Sequence, residues 1–272
     1  MECIFVSDLH GNTAKYSKLY ELISKNKPSA VFIGGDILPH RGGDATEFIE
    51  EHIISKAISL PTRFFMILGN DDPRIYESVF IEADKKGYIE YVHNRARWLG
   101  DHCVFGYSYV PPTPFMLKDW ERYDVSRYVD VGSTYIEDGF RTVEVEDERF
   151  QTIKDDLDNI SQVTEPDKTI YLFHSPPYDT ALDLTGNAGT SVNHAPMDPH
   201  VGSIAIKKFI EEKKPFLTLH GHIHESPGLT GCWKEKIGRT YSLSAAHDGP
   251  ELAAVLFDTA SIKEASRILI EI

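Results

Sequence analysis

Short apolar runs recur along the chain, each closed by polar residues or glycine: CIFVSD, AVFIGGD, FFMILGND, TIYLFHS and FLTLHGH. They have the length and residue types of strands. Helical patterns lie between the early ones. Asn12 is a candidate N-cap for a helix with Tyr16, Leu19, Tyr20 and Ile23 on one face. A second helix is expected over about 44–58 with Phe48 and Ile49 inward. A third is expected from Asp72-Pro73, where Asp suits the cap and Pro the first turn. Ser203 is placed to cap IAIKKFIEE ahead of the strand at Phe216. Strand and helix alternating through short connections imply βαβ units and at least one largely parallel sheet.

The C-terminal third reads differently. RTYSL, ELAAVLFD and SRILIEI resemble consecutive strands, which predicts a second, more antiparallel sheet. Residues 107–165 are less regular, with VPPTPF, an acidic aromatic stretch and one expected helix over about 148–160. We read this segment as an insertion or lid within a single 1–272 domain, because the strands on either side of it belong together.

Composition narrows the function. Lys plus Arg number 28 against 42 Asp plus Glu, for a net charge of −14 and a pI near 5.3. Such a surface disfavours non-specific nucleic-acid binding and anionic membranes, since both rely on Lys and Arg. Cys3, Cys103 and Cys232 are few and widely spaced, which points to a reducing compartment without a disulfide framework. With no apolar segment of membrane-spanning length and no basic leader, a cytoplasmic protein is expected.

Side chains able to bind metal gather at the ends of the apolar runs. Asp8 and His10 follow CIFVS, Asp36 follows AVFIGG, and Asn70 and Asp71 follow FFMILG. His174 follows TIYLF, and His220, His222 and His224 close the run beginning at Phe216. In open α/β sheets the carboxyl ends of strands converge on one crevice. Each fragment alone also has a structural reading, as a helix cap, a turn or a solvated histidine. Together they match a binuclear site. Imidazole and carboxylate suit Zn, Mn and Fe, and a bridging carboxylate can span two cations roughly 3.5–4 Å apart.

In the same order, DLHG, GGD, GND, a single histidine after an apolar run, and GHIH resemble the motifs of the calcineurin-like metallophosphoesterases. HSPPYDTALD, HVGS and PTPF are most similar to the Icc-related branch. The resemblance implies an α/β fold, a four-layer sandwich of two mixed β-sheets flanked by helices. It implies one metal on Asp8, His10, Asp36 and His224, and a second on Asp36, Asn70, His174 and His222. Two divalent ions are expected, manganese ahead of iron or zinc, with a shared hydroxide attacking phosphorus in line. His220 precedes the motif and is read as a structural strand residue, with support of a ligand as the alternative.

One position departs from the pattern. Many members carry histidine after Gly-Asn, where it serves as proton donor to the leaving group; here Asp71 stands there. Asp71 can be the general acid only if its pKa is raised. Otherwise His194, His200 or His247 takes that role, or substrates need little protonation, or catalysis is lost. Asp72 is explained by capping the Pro73 helix. Arg41, just past Asp36, is most simply a solvated loop residue, with contact to a phosphate as the alternative. The expected function is hydrolysis of a small phosphate ester, diester favoured over monoester. The alternative is a non-catalytic scaffold that retains the metal site. A Rossmann enzyme is excluded because SDLHGN is not a Gly-x-Gly-x-x-Gly loop, and an amidohydrolase because the chain does not open on His-x-His. Specificity is expected in 107–135 and 178–200.

Overall fold

The structure is a computed structural model that describes residues 1–39, 44–144 and 151–272. Its strands, in chain order, are β1 (Glu2–Val6), β2 (Ala30–Gly34), β3 (Arg63–Ile67), β4 (Glu90–Tyr91), β5 (Ala96–Leu99), β6 (His102–Tyr107), β7 (Thr169–Phe173), β8 (Ser191–Val192), β9 (Ala195–Pro196), β10 (Leu217–His220), β11 (Lys234–Ile237), β12 (Thr240–Ser244), β13 (Leu252–Asp258) and β14 (Ser266–Ile270). The α-helices are α1 (Thr13–Asn26), α2 (Thr46–Phe48), α3 (Ser55–Ser59), α4 (Glu77–Lys85), α5 (Ile153–Asp158), α6 (Ile204–Lys213) and α7 (Ser226–Thr230).

Two six-stranded mixed sheets face each other, in the orders β14-β13-β1-β2-β3-β4 and β11-β12-β10-β7-β6-β5. This is the four-layer α/β arrangement expected. The apolar runs lack polar alternation because both faces of each strand are buried. Phe5, Phe32, Phe65, Ile170, Leu172 and Leu219 fill the space between the sheets, and the Phe32 and Phe65 rings stack at 5.2 Å. The alternate residues Ile4, Val31, Ile33 and Met66 pack with Tyr16, Leu19 and Ile23 of α1. On the far side, Tyr171 and Phe173 meet Phe209 of α6.

Asn12 caps α1 by accepting from the Ala14 and Lys15 amides, as expected. Ser203 caps α6 through the Ile206 amide. The helix expected over 44–58 is divided: α2 runs into a π-helical turn, Ile49–Ile54, and then α3. Of the expected 148–160 helix, α5 is present, with a Thr152–Asp155 capping box; residues 145–150 lie outside the described residues. The helix expected from Asp72-Pro73 begins later, because Pro73 is extended, Arg74–Tyr76 form a 3-10 turn, and only then does α4 start.

The C-terminal strands do not make a sheet of their own. β12 joins the second sheet parallel to β10, while β13 extends the first sheet antiparallel to β1 and β14 follows antiparallel to β13. Their apolar runs specified strands but not partners. Segment 107–165 leaves the end of β6 and returns as β7, its parallel neighbour. Within it the Lys118 ammonium and Glu121 carboxylate pair at 2.6 Å in full burial, and Thr113 donates two further bonds to Glu121. Among the described residues no helix is long and apolar enough to cross a membrane.

Candidate metal centre

Parallel pairing aligns the carboxyl ends of β1, β2 and β3, and likewise those of β7 and β10. The loops that leave them meet between the sheets and bring the candidate side chains together. Asp8, His10, Asp36 and His224 form one group whose ligand atoms lie within 4.8 Å of one another; Asp36, His174 and His222 form a second. Asn70 joins the second group, its Oδ1 3.0 Å from His174 Nε2.

The backbone is strained to achieve this. Asp8, His10, Asp36 and His222 all have left-handed φ, at 58°, 45°, 52° and 71°. Asp and His tolerate this region better than bulkier residues, and such strain collects where side chains must be aimed. Two glycines make room. A Cβ at Gly69 would lie 2.2 Å from Asp36 Oδ1, and one at Gly221 would lie 2.0 Å from Ser7 Oγ.

Hydrogen bonds aim the donor atoms inward. His174 Nδ1 donates to the Gly34 carbonyl at 2.7 Å, leaving Nε2 to face Asp36 at 3.3 Å. The Asn70 amide nitrogen donates to Asp71 Oδ1, so its oxygen faces the centre. Asp8 accepts from the His222 amide, and Asp36 from the Asp71 amide. His10 Nε2 and His224 Nε2 stand 3.1 Å apart, a spacing at which two imidazoles share at most one hydrogen.

The electrostatics express the same convergence. Burial opposes charge on Asp8, but His224 and His174 hold its carboxyl below the ordinary range. Burial likewise works against Asp36, and His174 and His10 overcome it strongly. Against the effect of burial, Asp36 and Asp8 push His174 up to about 10, and Asp8 with Asp36 pushes His224 up to about 9. His222, dominated by burial and by His174, falls to about 3. Imidazole nitrogens, carboxylates and one amide oxygen aimed at shared points make a donor set that fits two divalent cations.

Asp71 stands at the mouth, with Oδ2 3.8 Å from His10 Nδ1. Burial and the Asp36 carboxylate push its acid up to about 7. His200 is held by Asp183 at 2.8 Å and His247 by Glu251 at 2.9 Å; His194 is exposed, and none of the three enters either group. Arg41 lies outside the described residues.

Asp72 does not cap a helix. It is fully buried and accepts from the Ile37, Leu38 and Gly69 amides, which ties the Asp36 loop to the Asn70 loop. Burial and Asp36 push its acid up to about 8, yet both oxygens accept N–H bonds, so the ionised form is the one the geometry satisfies. Asp before Pro is a cap signal in sequence, and nothing local distinguishes it from a tertiary acceptor.

His220 is a strand residue with partners. Nδ1 donates to the Ser175 carbonyl at 2.9 Å, Nε2 accepts from Thr218 at 2.8 Å, and the ring stacks on Phe173. It therefore fixes the turn directly after His174. Segments 107–135 and 178–200 meet at a cleft of about 290 Å³ lined by Pro111, Tyr128, Asp130, Tyr178 and Asp198.

Residues 1–226 match the family model described as calcineurin-like phosphoesterase. No curated protein matches the sequence. One solved crystal structure, 16% identical, superposes with a TM-score of 0.63 over 99% of each chain. Another, TT1561 of Thermus thermophilus, is 15% identical with a TM-score of 0.61 over 98% of each chain. At these identities the likeness is one of fold.

Proposed function

Because the chain belongs to the calcineurin-like phosphoesterases, a family of metal-dependent hydrolases, we propose that it hydrolyses small phosphate esters, diesters ahead of monoesters, with two divalent metals. One observation carries the reading: Asp36 is common to two groups of ligand-competent side chains. Asp8, His10, Asp36 and His224 would hold one ion, and Asp36, Asn70, His174 and His222 the other. Manganese suits this mixture of imidazole, carboxylate and amide oxygen. Bound there, divalent ions supply Lewis-acid polarisation of a phosphoryl oxygen and acidify water.

The chain's own residues supply the rest. Buried Asp8, Asp36 and His174 form a floor closed to bulk water, while Asp71 and His224, 27% and 31% exposed, face the opening. The Asp71 amide is fixed to Asp36, and a carboxyl at the opening supports reading Asp71 as the donor of a proton to the departing oxygen. An acid in place of the histidine that many members carry leaves one cation fewer beside the phosphate, which supports a singly charged diester ahead of a monoester dianion. Three free cysteines, two of them buried, fit a reducing cytoplasm.

The test is hydrolysis of bis-p-nitrophenyl phosphate and p-nitrophenyl phosphate after reconstitution with Mn²⁺, with His222→Ala as control. Metal-dependent turnover of the diester, lost in the control, is expected. Two bound metals without turnover of either compound would instead favour a binding module.

A further inference from the structure

We propose that Lys15 is a substrate-binding residue whose ammonium holds a phosphoryl oxygen of the ester on the Asp8, His10 and His224 side of the centre. The inference rests on the phosphoesterase reading above. Helix α1 follows directly on the loop that carries Asp8 and His10, and the Asn12 side chain fixes its first turn by accepting from the Ala14 and Lys15 amides. Tyr16, Leu19 and Ile23 take the core face. Lys15, one residue ahead of Tyr16, is half-buried while Thr13 and Ala14 are exposed.

Among the described residues no carboxylate is in direct contact with its ammonium. On a helix, a lysine finds its acid three or four residues on, and Lys18 does so with Glu21 at 3.1 Å. From Lys15 those positions are Lys18 and Leu19. Among the described residues, its side chain makes one hydrogen bond, from Nζ to the Gly249 carbonyl at 3.5 Å, and no salt bridge. An ammonium carries three donors, so at least two remain.

The surroundings place those donors beside the centre. Gly249 belongs to the loop after β12, which is tethered to the end of β10 through the Ala245 amide and the His220 carbonyl at 3.2 Å. That is the strand from which His222 and His224 extend. The ammonium therefore bridges the helix that follows the Asp8–His10 loop and the loop after β12. Asp8 and Glu251 are close enough to offset part of the burial that disfavours its charge. In a chain of net charge −14 a phosphate needs local positive charge, and Lys15 supplies it independently of the metals.

The experiment titrates inorganic phosphate into Mn²⁺-loaded wild type, Lys15→Met and Lys15→Arg by calorimetry, with metal content and thermal midpoint measured on each. Loss of one charge-assisted hydrogen bond predicts phosphate binding weaker by about tenfold in Lys15→Met, with unchanged metal content. Lys15→Arg should recover most of the affinity, which a merely structural tie to Gly249 would not require. Wild-type affinity in Lys15→Met, or an equal loss in both variants with a lowered midpoint, overturns the assignment. Absence of metal-dependent phosphate binding in the wild type would overturn the phosphoesterase reading itself, and this inference with it.

Discussion

His174 Nδ1 donates to the Gly34 carbonyl at 2.7 Å, joining the end of β7 in one sheet to the end of β2 in the other. The bond fixes the tautomer, so that Nε2 is the atom turned towards Asp36 and Asn70. Partners that orient a ligand in this way are common where histidine binds metal. Here the partner is backbone, set by the pairing of β2 with β1 and β3.

Metal binding should release protons. Without metal, the neighbouring carboxylates hold His174 at about 10 and His224 at about 9, so both are protonated at neutral pH. A ligand histidine must be neutral, so each ion displaces a proton and affinity rises with pH up to those values. Calorimetric titration of Mn²⁺ at pH 7.5, in buffers of different ionisation enthalpy, should show close to two protons released. Zero release would mean that these histidines do not ligate.

Asp71 should matter in proportion to the leaving group. Asp71→Asn keeps the shape and removes the transferable proton. For an alkyl phosphate ester, loss of a general acid should lower kcat by roughly 10²–10⁴-fold. For a p-nitrophenyl ester, whose leaving group needs little protonation, the loss should stay within about tenfold. Equal losses on both substrates would remove Asp71 from the proton-donor role.

The centre was legible in the sequence because its information is local. In parallel strands the residues just past the last apolar position face the crevice, so Asp8, Asp36, Asn70, His174 and His222 could be read from where the runs stop. The partners of the C-terminal strands were not legible. β12 and β13 both read as apolar strands, and only long-range packing sends one beside β10 and the other beside β1. Asp72 was misread for a related reason: its acceptor role depends on amides 35 and 34 residues away at Ile37 and Leu38.

Removing the Asp72 carboxylate should loosen both ligand loops together. Asp72→Ala leaves three buried amides without acceptors, each costing about 1–3 kcal/mol. We expect a loss of about 3–5 kcal/mol in unfolding free energy, within the upper range for single substitutions. Denaturant unfolding of the metal-free protein measures it, and metal affinity should fall in the same variant. A cost below about 1 kcal/mol would show that water replaces the carboxylate.

His220 should make the fold acid-sensitive. Burial depresses it to about 4, against a bond to the Ser175 carbonyl that works the other way. An unfolded histidine titrates near 6.5, so below that pH the unfolded chain takes up a proton that the folded chain refuses. The stability contributed is complete above about pH 6.5 and is lost as pH falls towards 4. The full depression corresponds to about 3 kcal/mol. His220→Asn can keep the donor to Ser175 without the titration. Although less stable at pH 7.5, it should therefore lose less stability than the wild type between pH 6.5 and 4. Thermal midpoints of both metal-free proteins across that range decide it, and parallel curves would mean that His220 does not carry the acid sensitivity.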